Sequence, residues 1–179
     1  MKCKQYNNQS ILEHGISVRN YFIDLFEYLN GKKLKYHWKI PEWLESNKQF
    51  VLNNLLDIKI IELYTIFHDC GKPYCIVEQN NNIHFTNHAN ISYEIWTSLF
   101  PDQNQVASLI KMDMDIHTIK AEQLKEFVKR KECITLLLVG LSEIHSNAEM
   151  FGGIDSNSFK IKYKHIDRRG KAIINVLVA

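Results

Sequence analysis

"FKIKYKHI", residues 159–166, alternates apolar and charged side chains, and read alone it is a β-strand. Extended toward the end of the chain, its period changes. Phe159, Tyr163, Ile166, Gly170, Ile173 and Leu177 recur every three or four residues, the spacing of one helical face. The segment therefore reads as a helix, and with it the whole chain reads as all-α.

Working back from there, "ITLLLVGL" (134–141) sits inside an apolar helix expected over 133–150, which Gly152 and Gly153 break. A short charged helix is expected over 121–131, and another runs from Asp102 to Ile116 with His117 at its end. Thr86 and Asn87 read as the cap of a helix over 89–99. "EQNNNIHF" (78–85) is a polar loop or a short hairpin tip. Residues 50–68 read as one helix, stopped by Gly71 and Pro73. Before it, Trp38 and Trp43 are packing anchors of a loop through Pro41. The first helix starts at Ser10, with Ile11, Gly15, Val18, Phe22, Leu25 and Leu29 on its apolar face, and ends at Asn30–Gly31. The expectation is one domain over 1–179, a bundle of about six to seven helices.

Composition narrows the class of function. The chain is 45% hydrophobic and 23% charged, ordinary for a globular domain. Its longest apolar run is too short to span a bilayer, so no membrane partner is expected. "MKCKQYNNQS" (1–10) has no apolar signal core, which predicts a cytosolic protein. Cys3, Cys70, Cys75 and Cys133 lack C-x-x-C spacing and read as reduced thiols, so the sequons at Asn8 and Asn90 carry no consequence. The net charge of +2 does not by itself demand nucleic acid, and no DNA-specific motif is present.

The chemistry is concentrated in "FHDCGKP" (67–73). His68 and Asp69 stand about 100° apart around a helix axis. They converge on one cation only near the helix end, where the macrodipole also favours positive charge. Imidazole with carboxylate suits Zn, Mn, Fe or Co. Three other stretches supply company for the pair. "SILEHGISVRNYF" (10–22) places His14 in the first helix, "IHFTNHANISYEIW" (83–96) adds His84 and His88, and "LLLVGLSEIHSNAE" (136–149) adds Glu143. Each has a plainer reading: His14 as a hydrogen-bonded core histidine, His84 and His88 as loop and helix-end residues, Lys72 as a solvated lysine.

Together these stretches resemble the HD-domain superfamily of metal-dependent phosphohydrolases, whose pattern is H…HD…D on a helical bundle. "HDCGKP…IHFTNHA" is most similar to the HD region of CCA-adding tRNA nucleotidyltransferases and related RNA-end phosphoesterases. The resemblance covers residues 10–150 and does not extend to a nucleotidyltransferase domain, so nucleotide addition is not expected. It implies that His14, His68 and Asp69 are metal ligands for one or two divalent ions (Mn, Fe, Co, Ni or Zn). Lys72, His84 and His88 correspond to phosphate-binding positions, and Asp69, Lys72, His88 and His117 to catalytic ones. The family's last ligand is an Asp in the late apolar helix. This chain offers Glu143 there, with Asp113 and Asp115 as rivals. The implied activity is hydrolysis of a nucleotide or RNA-end phosphate, such as a 2′,3′-cyclic or 2′-phosphate. A decayed module that binds nucleotide or RNA as a sensor is the alternative. Beyond the metal-site core, the basic helix over 155–179, with Lys160, Lys162, Lys164, Arg168, Arg169 and Lys171, is either a solvated face or a patch for RNA phosphates.

Overall fold

The computed structural model describes residues 4–6, 9–79 and 82–179; the Cys3 thiol and the Asn8 sequon lie outside them. The architecture is all-α, with six helices of eight residues or more among the described residues. The first of these, α1 (Ile11–Leu29), begins at a reciprocal cap: Ser10 Oγ accepts from the Glu13 backbone N–H at 3.2 Å, while the Glu13 carboxylate accepts from Ser10 N–H at 2.7 Å. Its buried face carries His14, Gly15, Val18, Phe22 and Leu25.

Two short helices follow, α2 (Glu42–Glu45) and α3 (Lys48–Asn53), and then α4 (Ile58–Phe67). The continuous helix expected over 50–68 is therefore interrupted. Leu56 N–H leaves the helical ladder to donate to Thr135 Oγ1 at 3.1 Å, and Asp57 caps α4 by accepting from Lys59 N–H at 2.8 Å. Past α4, a 3₁₀ turn over Lys72–Tyr74 leads into a hairpin, β1 (Ile76–Gln79) with β2 (Asn82–Phe85), which pairs Ile76 with Phe85 and Val77 with His84. A second small antiparallel pair joins Lys4–Tyr6 to Gln9–Ser10 and has no counterpart in the sequence reading.

After the hairpin come α5 (His88–Leu99), α6 (Asn104–Lys111), α7 (Asp115–Thr118), α8 (Leu124–Phe127), α9 (Cys133–Met150) and α10 (Asn157–Leu177). The single helix expected over 102–116 is split at residues 112–114, and the one over 121–131 is a 3₁₀ turn followed by α8. The helices over 133–150 and 157–177 stand where the periodicity places them. Burial on nearly every face of α9 explains its unbroken apolar run, since it packs against both α1 and α10.

One close approach sets the site. A Cβ on Gly15 would lie 2.0 Å from the Ile66 carbonyl oxygen, so α1 and α4 meet backbone to backbone at that point. His14, one residue before the crossing, is thereby brought beside His68, two residues after it.

Elsewhere the core is closed by aromatics. The buried Asp24 carboxylate accepts from the N–H groups of Lys35 and Tyr36 and from Trp38 Nε1, which ties the loop after α1 to the body. Trp38 packs on His145 with ring centroids 4.3 Å apart and planes tilted by 34°, and Trp43 is buried against Gly170. Among the described residues, no helix is long and apolar enough to cross a membrane.

Candidate metal centre

Helix α4 ends at Phe67, so His68 and Asp69 project past its last turn, and His14 reaches them from the first turn of α1. All three are buried, and one ligand atom from each lies within 4.8 Å of the others. His14 Nε2 is 3.7 Å and His68 Nε2 is 3.3 Å from the same oxygen, Asp69 Oδ2. His68 Nδ1 is 2.8 Å from the Thr65 carbonyl, which can only accept, so the ring proton sits on Nδ1 and Nε2 is the face turned to Asp69.

Buried polar atoms are normally satisfied. Here neither ring nitrogen of His14, nor His68 Nε2, has a hydrogen-bond partner among the described residues. Two imidazoles and a carboxylate, with unpartnered nitrogens turned on one oxygen, are a donor set that fits a divalent transition metal.

The charges of the three groups lean on one another. Burial would lower His68, but the Asp69 charge outweighs it and lifts the imidazole to about 10. Burial, reinforced by the positive charge on His68, pushes His14 down to about 4. Asp69 stays well below the ordinary carboxylate range because His68 and Lys72 overcome its burial. Asp69 is thus the anion on which the cationic side chains of the pocket converge. Lys72 is one of them, its Nζ lying 2.5 Å from Asp69 Oδ2.

The opposite carboxylate oxygen faces His88, whose Nε2 is 3.6 Å from Asp69 Oδ1 while its Nδ1 lies 3.0 Å from the Phe85 carbonyl. The hairpin is what delivers His88 to this position. Gly71 makes the approach possible: its N–H donates to Ser92 Oγ at 2.8 Å, and a Cβ there would lie 2.4 Å from Ser92 N on α5. Asp69, Lys72, His88 and Glu143 line a cavity of about 290 Å³ that opens above the trio.

The remaining sequence candidates divide. Glu143 faces that cavity, but its carboxylate pairs with His117 Nε2 at 3.1 Å and it is not in the tight trio. Burial raises Glu143, yet the hydrogen bond and charge of His117 hold it well below the usual range, and Glu143 in turn raises His117 against its burial. Asp113 is buried and accepts from Tyr64 Oη at 2.6 Å, with its pKa raised by burial. Asp115 pairs with Arg130 at the surface. His84 is exposed on β2, opposite Val77, and is not among the residues lining the cavity over Asp69. Sequence reading had no account of Tyr64 as the partner of Asp113, nor of Asn147, one turn after Glu143, as a lining residue. The i, i+4 spacing from Glu143 was the available signal for Asn147. No family model, no curated protein and no solved structure matches this chain.

Proposed function

We propose that the chain is a cytosolic metal-dependent phosphohydrolase of the HD-domain type, acting on a nucleotide or an RNA-end phosphate such as a 2′,3′-cyclic or 2′-phosphate. The observation that carries this reading is the buried trio, His14, His68 and Asp69, with unpartnered imidazole nitrogens turned on one carboxylate, and with Asp69 reaching a cavity also lined by Lys72 and His88. A divalent ion held there supplies a Lewis acid and an acidified water.

The chain's own residues do the rest. Lys72, from its seat on Asp69, binds a non-bridging phosphate oxygen, and His88 orients the phosphate from the hairpin side. The attacking water, its proton lost to solvent, forms a new P–O bond as the ester P–O bond breaks. His117, whose imidazole Glu143 shifts upward, donates the proton that the leaving oxygen needs.

Elemental analysis of the protein purified without chelator or histidine tag, beside Asp69→Ala, tests the reading. One or two equivalents of transition metal, lost in the variant, are expected. Equal and negligible metal in both, even after reloading with Mn, Co or Ni, would sink it. That outcome would favour a nucleotide- or RNA-binding sensor, the reading suggested by Glu143 pairing with His117 rather than closing the trio.

A further inference from the structure

The basic residues of α10 are not equivalent. Lys162, His165 and Arg169, spaced three and four apart, share one face of the helix. That face lines a cavity of about 410 Å³, whose other wall is His117, Glu143 and Asn147. Glu143, Asn147 and Lys162 also line the cavity over Asp69, so the two volumes meet at these residues, a groove between Asp69 and α10. Lys160, Lys164, Arg168 and Lys171 line neither volume.

The charge along this wall is unbalanced. Among the described residues, no carboxylate lies in ion-pair reach of Lys162 or Arg169. Glu143, the one carboxylate lining the larger cavity, is already engaged by His117. Arg169 is half-buried, its Nε donating to the Ile119 carbonyl at 3.4 Å, which seats the guanidinium on the groove wall. Lys162 stands at the junction of the two volumes, near the Phe151 ring at 5.8 Å.

We propose that Lys162, His165 and Arg169 form a subsite for a second phosphate of the substrate, beyond the one held at Asp69 and Lys72. The inference rests on the phosphohydrolase reading and narrows it to substrates carrying at least two phosphates. The shared chemistry is a dianionic or diester phosphate one step along the groove. It arises either from the next nucleotide of a nucleic-acid end or from the second phosphate of a nucleoside polyphosphate. Binding here changes no bond.

Calorimetric binding to the full chain in chelator, where hydrolysis is silent, tests it. Three probes are compared: adenosine monophosphate, adenosine diphosphate, and the 5′-phosphorylated dinucleotide of adenosine. One of the two-phosphate probes should bind about tenfold or more tighter than the monophosphate, the scale of one or two charge-assisted hydrogen bonds. Preference for the dinucleotide assigns a nucleic-acid end, and preference for the diphosphate assigns a polyphosphate. Lys162→Gln/Arg169→Gln should remove the excess, whereas Lys160→Gln/Lys164→Gln, with the same charge lost, should keep it within twofold. Equal binding of all three probes by the wild type, or an undiminished excess in Lys162→Gln/Arg169→Gln, overturns the subsite. The underlying reading is measured separately, by hydrolysis of bis(p-nitrophenyl) phosphate with the Mn-loaded protein. That probe carries no second phosphate, so its failure would count against hydrolysis and leave the binding result standing.

Discussion

Gly15 has no side chain to contribute, yet it decides where His14 stands. Alanine is ordinarily the better helix residue by about 1 kcal/mol. At this position its methyl would sit 2.0 Å from a backbone oxygen of α4, a contact that no side-chain rotation relieves. Overpacking therefore wins, and Gly15→Ala should destabilise the fold by roughly 1–3 kcal/mol. Because the shift separates α1 from α4, bound metal should fall with it. Denaturant melts and metal content on the same sample check both. His145 makes a pH prediction. Its Nδ1–H donates to the Leu141 carbonyl at 2.8 Å and its Nε2 accepts from Lys39 N–H at 3.1 Å, an arrangement only the neutral ring satisfies. Burial accordingly lowers it from 6.5 to about 4. Its contribution to stability is complete above pH 6.5 and is lost as the pH falls from there toward 4, because the unfolded chain takes up the proton first. His145→Gln should flatten part of that decline in thermal melts, with His14, also lowered to about 4, accounting for another part. In the sequence His145 shows only its place two residues past Glu143, with no sign of what it touches. Its partners Trp38 and Lys39 lie over a hundred residues earlier, beyond the reach of local spacing.

At the scale of elements, the start of α1 matters because His14 lies in its first turn. Ser10→Ala removes the side-chain half of the cap and should cost about 1 kcal/mol, a fall of roughly 2–4 °C in Tm for a chain of this size. Retention of α1 in the rest of the fold would keep the circular dichroism unchanged, so the thermal scan is the readout. The same element shows what sequence makes legible. Caps, periodic faces and Gly–Pro stops are local signals, and they set α1, α9 and α10 at nearly their observed bounds. The break between α3 and α4 was not legible as a break, although Asn53, Asn54 and Asp57 carry turn and cap chemistry. What enforces it is a hydrogen bond to Thr135, which no local pattern displays. Of the candidate site, the pair at the end of α4 was legible for the same local reason. The reach of His14 to it depends on helix crossing, and the pairing of His117 with Glu143 on the packing of α7 against α9.

For the whole molecule, an ion bound only by the folded state adds stability in proportion to the logarithm of its concentration over Kd. At a hundred times Kd the gain is about 2.7 kcal/mol. Saturating Mn or Zn should thus raise Tm by several degrees in the wild type and leave Asp69→Ala unmoved, and differential scanning calorimetry with and without chelator reads the difference. A melt insensitive to every divalent ion tried would argue against a folded-state metal site. The packing of α1 against α9 has a separate consequence, in the order of synthesis. Helix α1 leaves the ribosome before the other helices, with α3 and then α4 its next available neighbours, and waits for the chain through Met150. At 5–20 residues per second that wait is on the order of 10 s. During it, Val18, Phe22 and Leu25 have only part of their final covering. The nascent chain is then at its most adhesive, and a translational pause before α9 should lower the soluble yield more than one placed after it.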